Sequence, residues 1–246
     1  MDPEYQPLAD RSPGAWMERV RALLEVLLLS GLVSGFVAYL PFSAIHGAGT
    51  TPTASAQAVS TFVFLEASIC LLLLLLVALT NREPLRDLGL RRDRWPAHAL
   101  VGLAIVPILF LTNGLVAAAF KLLLPKYFLD RNPLVDVIKT PQDLVLFLCV
   151  VLYAGGIKEE LQRAFILNRF RDHLGGAWFG LVVWSAAFGA GHYVQGAQGM
   201  VAASIYGMIF GIVYLARGSL VAPVVAHATY DAAALMGYWF LLGPPK

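Results

Sequence analysis

Apolar residues gather into runs separated by short polar or basic breaks. Crossing the hydrocarbon of a bilayer takes about 20 such residues. By that measure the pattern predicts spans over residues 20–42, 58–80 and 97–124, a fourth starting near 144, and further spans over 178–193, 200–216 and 220–242. The fourth contains Gly155-Gly156, which should bend or interrupt it before it resumes over 158–170, because adjacent glycines weaken a helix. The fold class is therefore an all-α polytopic membrane protein with about seven transmembrane helices, or roughly six to eight depending on how the fourth is divided. Gly31 and Gly35 in the first run, and Gly207 and Gly211 in the sixth, have the small-xxx-small spacing that favours close helix contact. The stretch 126–143 carries Pro133 and Pro141 with both charge signs. It reads as an extracytoplasmic connection with a short surface helix.

Charge gives the orientation. Arg82, Arg86, Arg91, Arg92 and Arg94 share one short loop, whereas the loop 45–57 holds no arginine. Arg169 and Arg171 flank the Gly175-Gly176 turn, and Arg217-Gly218 makes the next one. The positive-inside rule places all three basic breaks, and the polar tail 1–19, in the cytoplasm. Composition agrees with a membrane protein. Of 246 residues 58% are hydrophobic and only 14% charged, with a mean hydropathy of +0.68. A soluble domain carries about a quarter charged residues. A net charge of +2 is too small to point to nucleic acid. Cys70 and Cys149 both lie in apolar runs and read as buried, inert thiols. The first apolar run is too long for the core of a cleavable signal peptide.

An ionisable group inside a span costs about 2.5–3.5 kcal/mol on insertion scales, so each needs a reason. Glu25, Glu66 and Lys121 stand alone in sequence and read as snorkelling or interhelical hydrogen bonding. The others cluster late in the chain. In Lys158-Glu159-Glu160-Leu161-Gln162-Arg163, Glu159 and Arg163 are four apart and should face each other as an ion pair. Phe188-Gly-Ala-Gly-His192 places one imidazole among small residues. His227 and Asp231 are four apart, so the carboxylate should orient the ring. Each feature alone is as well explained by helix packing; together, and in order, they make a chemically coherent set. Peptide hydrolysis needs a water, a base to activate it and donors for the developing oxyanion. Glu159, Glu160, His192, His227 and Asp231 supply these, with Arg163 and Phe188 in support. The same groups could hold a divalent metal such as zinc through His192, His227 and Glu159. Sequence does not separate the two versions, and the cofactor expectation is none.

These motifs resemble the CAAX-protease and bacteriocin-processing family, also called the type II CAAX prenyl endopeptidase or ABI family. Its pattern is a glutamate pair with an arginine (EExxxR), then FxxxH, then HxxxN or HxxxD. Residues 188–192 and 227–231 match the second and third motifs, and the resemblance covers about 144–236. The first motif reads EExxR here, one residue short. If Arg163 sets the register, Glu159 matches the second glutamate and Lys158 replaces the first. If the glutamate pair sets it, the arginine has moved by one. The resemblance implies an intramembrane endopeptidase acting on a membrane protein or peptide, with the lipid bilayer as its other partner. Glu159 is then the expected general base and Lys158 is dispensable. The chain reads as one domain: a cytoplasmic tail 1–19, N-terminal transmembrane helices 20–142 and a transmembrane core 143–246, which the resemblance makes the catalytic part. Composition hints at a bacterium, hence the inner membrane with a cytoplasmic N-terminus. Two other readings remain: a non-catalytic scaffold or regulator of the same fold, and a small proton-coupled transporter. Other intramembrane proteases fit less well, as the sequence has no HExxH, no GxGD and no GxSxG.

Overall fold

The computed structural model describes residues 13–90 and 94–243. Most of the tail 1–19 and two of the five loop arginines, Arg91 and Arg92, thus lie outside the described residues. Among the described residues there is no strand. The helices are α1 (Pro13–Leu28), α2 (Leu32–His46), α3 (Ala56–Asn81), α4 (Trp95–Leu123), α5 (Pro141–Val151), α6 (Glu160–His173), α7 (Ala177–Gly191), α8 (Gly196–Arg217) and α9 (Val221–Gly237). Among the described residues four helical stretches are long and apolar enough to cross a membrane: Gly14–His46, Ala56–Asn81, Trp95–Leu123 and Tyr193–Arg217. Their outward leucines, such as Leu100, Leu111, Leu115 and Leu122 on α4, are exposed to the surroundings, as a lipid-facing surface requires. The molecule is an all-α membrane protein.

Two expected continuities are altered. The first predicted span is broken between α1 and α2, where Gly31 takes φ +94°, a left-handed conformation open to glycine and costly for other residues. Gly35, expected at a helix contact, has no atom within 4 Å of where a Cβ would lie. By contrast Gly207 and Gly211 face Ser185 and Leu181 of α7 so closely that a Cβ would meet them at 3.3 and 2.2 Å. The second alteration is at Gly155-Gly156. The chain does not break there but winds into π-helical turns over Leu152–Glu159, joining α5 to α6. Such wide turns mark functional sites more often than chance. The connection 126–143 holds two short 3₁₀ turns, Pro125–Tyr127 and Pro133–Val137. A Thr140 capping box with Asp143 then starts α5.

Contacts between the helix ends define two poles. At one, Asn168 bonds to the Asp87 carbonyl, Leu220 N–H to the Gly89 carbonyl and Arg217 to His98. All three predicted basic breaks meet there. At the other, Gln57 bonds to Asp143 and Asn132 to Gln195. The centre is α6, buried from Gln162 to Phe170 although it carries Gln162, Arg163, Asn168 and Arg169. Buried polar groups must be paired. Arg169 holds Glu25 of α1 and Glu83, and Gln162 donates to the Leu29 carbonyl freed by the break after α1. The sequence reading of Glu25 as an interhelical bonding group is borne out; Asn81 and Arg21 also bind it. Lys121 is exposed, with its ammonium 5.7 Å from the Phe128 ring centre. Of the two cysteines, Cys70 is buried but Cys149 is exposed, because it falls on the outer side of α5.

A carboxylate and imidazole cluster between the helices

The candidate residues come from three places. The π-helical turns and the start of α6 bring Glu159 and Glu160, the end of α7 brings Phe188 and His192, and α9 brings His227 and Asp231. His227 is the hub. Its Nδ1 donates to Glu160 Oε1 at 2.7 Å. On the other side of the ring, Nε2 lies 3.5 Å from Asp231 Oδ2 and 3.8 Å from Glu159 Oε2. Phe210 of α8 stacks on the ring at 4.7 Å between centroids. A carboxylate only accepts, so the Nδ1 bond fixes the ring's orientation and leaves Nε2 facing the other two carboxylates.

The two glutamates have different surroundings. The Glu160 side chain is 0% exposed and pairs with Arg163, itself fully buried. Arg163 is held between two rings, 4.8 Å from Phe188 and 5.3 Å from Phe210. Glu159 is 20% and Asp231 27% exposed, against 9% for His227. These two carboxylates therefore line whatever space adjoins Nε2. The sequence expectation of a Glu159–Arg163 pair is corrected: Arg163 pairs with Glu160, at i,i+3 instead of i,i+4. Both spacings lie on one helix face, so the shortened EExxR motif still joins its second glutamate to its arginine. The orienting of His227 is corrected in the same way. The group hydrogen-bonded to it is Glu160, while Asp231 approaches Nε2 beyond hydrogen-bond range.

His192 ends α7, and its Nδ1 donates to the Phe188 carbonyl at 2.8 Å. The Phe188 ring lies between the imidazoles, 4.6 Å from His192 and 6.5 Å from His227. Through that ring His192 adjoins His227, and so belongs to the same cluster. Among the described residues, no group of three or more His, Cys, Asp and Glu side chains could hold a metal ion. The alternative set His192, His227 and Glu159 does not make one.

Some members were not assigned to the site from sequence. A Cβ on Gly155 would meet Asp231 Oδ2 at 2.8 Å and His227 Nε2 at 3.3 Å, and one on Gly156 would meet Ala228 at 2.9 Å. The glycine pair therefore admits α9 itself. Phe210 lies in an apolar run with no signal to separate it from other core residues. Glu66 did give a signal, as a carboxylate within a span; in space it pairs with Lys158 Nζ at 2.9 Å and accepts from Ser34 at 2.6 Å.

Fold and site together define a class: an all-α membrane protein with a carboxylate and imidazole cluster enclosed by its helices. Residues 140–233 match the family model described as type II CAAX prenyl endopeptidase Rce1-like. That segment contains all five candidate residues and bears out the resemblance read from the motifs. No curated protein and no solved structure was found to match the chain.

Proposed function

We propose that this protein is an intramembrane endopeptidase that hydrolyses a peptide bond of a membrane-associated protein or peptide. The observation that carries this reading is His227, bonded at Nδ1 by the buried Glu160 and approached at Nε2 by two partly open carboxylates. A scaffold has no need of three acids around one imidazole at insertion costs of about 2.5–3.5 kcal/mol each. The match over residues 140–233 supports the same activity.

In this reading Glu159 takes a proton from water as the water oxygen attacks the scissile carbonyl carbon. Protonated His227 donates from Nε2 to the tetrahedral oxygen. Asp231 keeps a carboxylate oxygen beside that ring edge, and His192, whose Nδ1–H donates to the Phe188 carbonyl, accepts a hydrogen bond from the water at Nε2. Collapse breaks the C–N bond, and Glu159 returns the proton to the leaving amine. Glu160 and Arg163 are positioning residues. No step runs through a metal, so cleavage should persist in chelator. The enzyme sits in a bacterial inner membrane with the basic pole and N-terminus in the cytoplasm.

The test is cleavage of membrane-anchored peptides by protein reconstituted in vesicles, run in ¹⁸O-labelled water. One labelled oxygen in the new carboxyl group is expected. A wild-type protein that cleaves none of them, while a scaffold function survives variants at Glu159, His192 and His227, overturns the reading.

A further inference from the structure

Lys158 has no role in the cluster described so far, yet it is among the most deeply buried charges of the chain, with a side chain 8% exposed. Its ammonium reaches away from His227, across to α3, and pairs with Glu66 at 2.9 Å. Glu66 is itself fixed from a third helix, since Ser34 of α2 donates to its other oxygen. Two residues on from Glu160, Gln162 holds the Leu29 carbonyl at the α1–α2 break. The segment carrying the cluster is thus fastened on one side to α9 through Glu160 and His227, and on the other to α2 and α3 through Lys158 and Glu66.

Glu159 lies between these two fastenings. Its carboxylate stands 3.8 Å from His227 Nε2, too far for a hydrogen bond to set its place. It also ends the π-helical turns. Relaxing such turns to α-helix rotates every following side chain about the axis. The neighbours of Glu159 at 158 and 160 are both anchored, to Glu66 and to His227.

We infer that Lys158 is a positioning residue for Glu159: pinned by Glu66, it fixes the winding of the π-helical turns and with it the direction of the Glu159 carboxylate. This rests on the endopeptidase reading and extends the working parts of the site to α2 and α3, which showed only membrane character in sequence. Lys158, left as dispensable by the motif pattern, is then required for turnover.

The test separates positioning from mere fold support. Removing one partner of a buried ion pair leaves an uncompensated charge, whereas replacing both by apolar side chains of similar volume is often neutral. The double variant Lys158→Met with Glu66→Met should therefore fold, and Ser34 can keep its bond to the Gly31 carbonyl. In vesicles it should lose about 100-fold in kcat with little change in KM, the scale of effect of about 1 Å of misplacement. Lys158→Arg, which keeps the charge, should restore part of the loss. A folded double variant with wild-type kcat overturns the inference. Should the double variant not fold, Glu66→Gln decides on the same terms: its amide oxygen can face one partner and its NH2 can donate to Ser34 Oγ, but the ion pair that pins Lys158 is lost. An inactive wild type is a different result: it removes the endopeptidase reading, and this inference with it.

Discussion

At the scale of single residues, the members of the cluster differ in how open they are. Glu160 and Arg163 are closed off, while Glu159 and Asp231 remain partly open. Asp231 is 3.5 Å from Nε2 and forms no hydrogen bond with it. In the proposed mechanism it keeps an oxygen near that ring edge. Asparagine keeps an oxygen there, and alanine does not. Asp231→Asn is therefore expected to retain most cleavage, within about tenfold of wild type, while Asp231→Ala falls by about 100-fold. Rates of cleavage in vesicles check this. Equal losses would mean that the negative charge itself is needed.

Among the elements, the π-helical turns decide the geometry. Sequence marked their place through Gly155-Gly156 but read a bend, because a glycine pair signals weak helix without saying how the chain continues. Both glycines lie against α9. Residues far apart in sequence set that contact, so no local signal could reveal it. Runs such as 58–80 and 200–216 were readable because a bilayer imposes a length on them. The pairing of Arg163 with Glu160 was not, since i,i+3 and i,i+4 are equally good neighbours on a helix. Lys158 and Glu66 were readable only as charges in apolar surroundings, without the partner that explains each. The contact with α9 also makes a prediction. Gly155→Ala puts a methyl group 2.8 Å from Asp231 Oδ2 and 3.3 Å from His227 Nε2. The carboxylate tip can move aside, so the variant should fold with stability within about 1 kcal/mol of wild type. Cleavage should drop by about 100-fold, because the displaced groups are the ones that line the site. Thermal unfolding in detergent and the cleavage rate check the two halves. Unchanged cleavage would show that the space beside Nε2 is not used.

For the whole molecule, the three basic breaks meet at one pole, through Asn168 and Asp87, Leu220 and Gly89, and Arg217 and His98. The loop 45–57, free of arginine, leads from α2 to α3 away from that pole. The positive-inside rule then predicts that a cysteine at Leu90 is protected from an impermeant thiol reagent in intact cells, while one at Thr51 is labelled. Both are measured in a background lacking Cys70 and Cys149. Labelling at Leu90 from outside would invert the molecule and the side from which substrate enters.

The measurement closest to the central claim is the cleavage rate of Glu159→Gln in vesicles. Glutamine keeps the shape of the side chain and cannot take a proton from water. General base catalysis is worth about 10²–10⁴-fold, so the variant should fold as wild type does and lose at least about 100-fold in kcat. Glu160→Gln, whose partner Arg163 is buried with it, should lose less turnover and more stability. A fully active Glu159→Gln beside an inactive Glu160→Gln would contradict the assignment of the base.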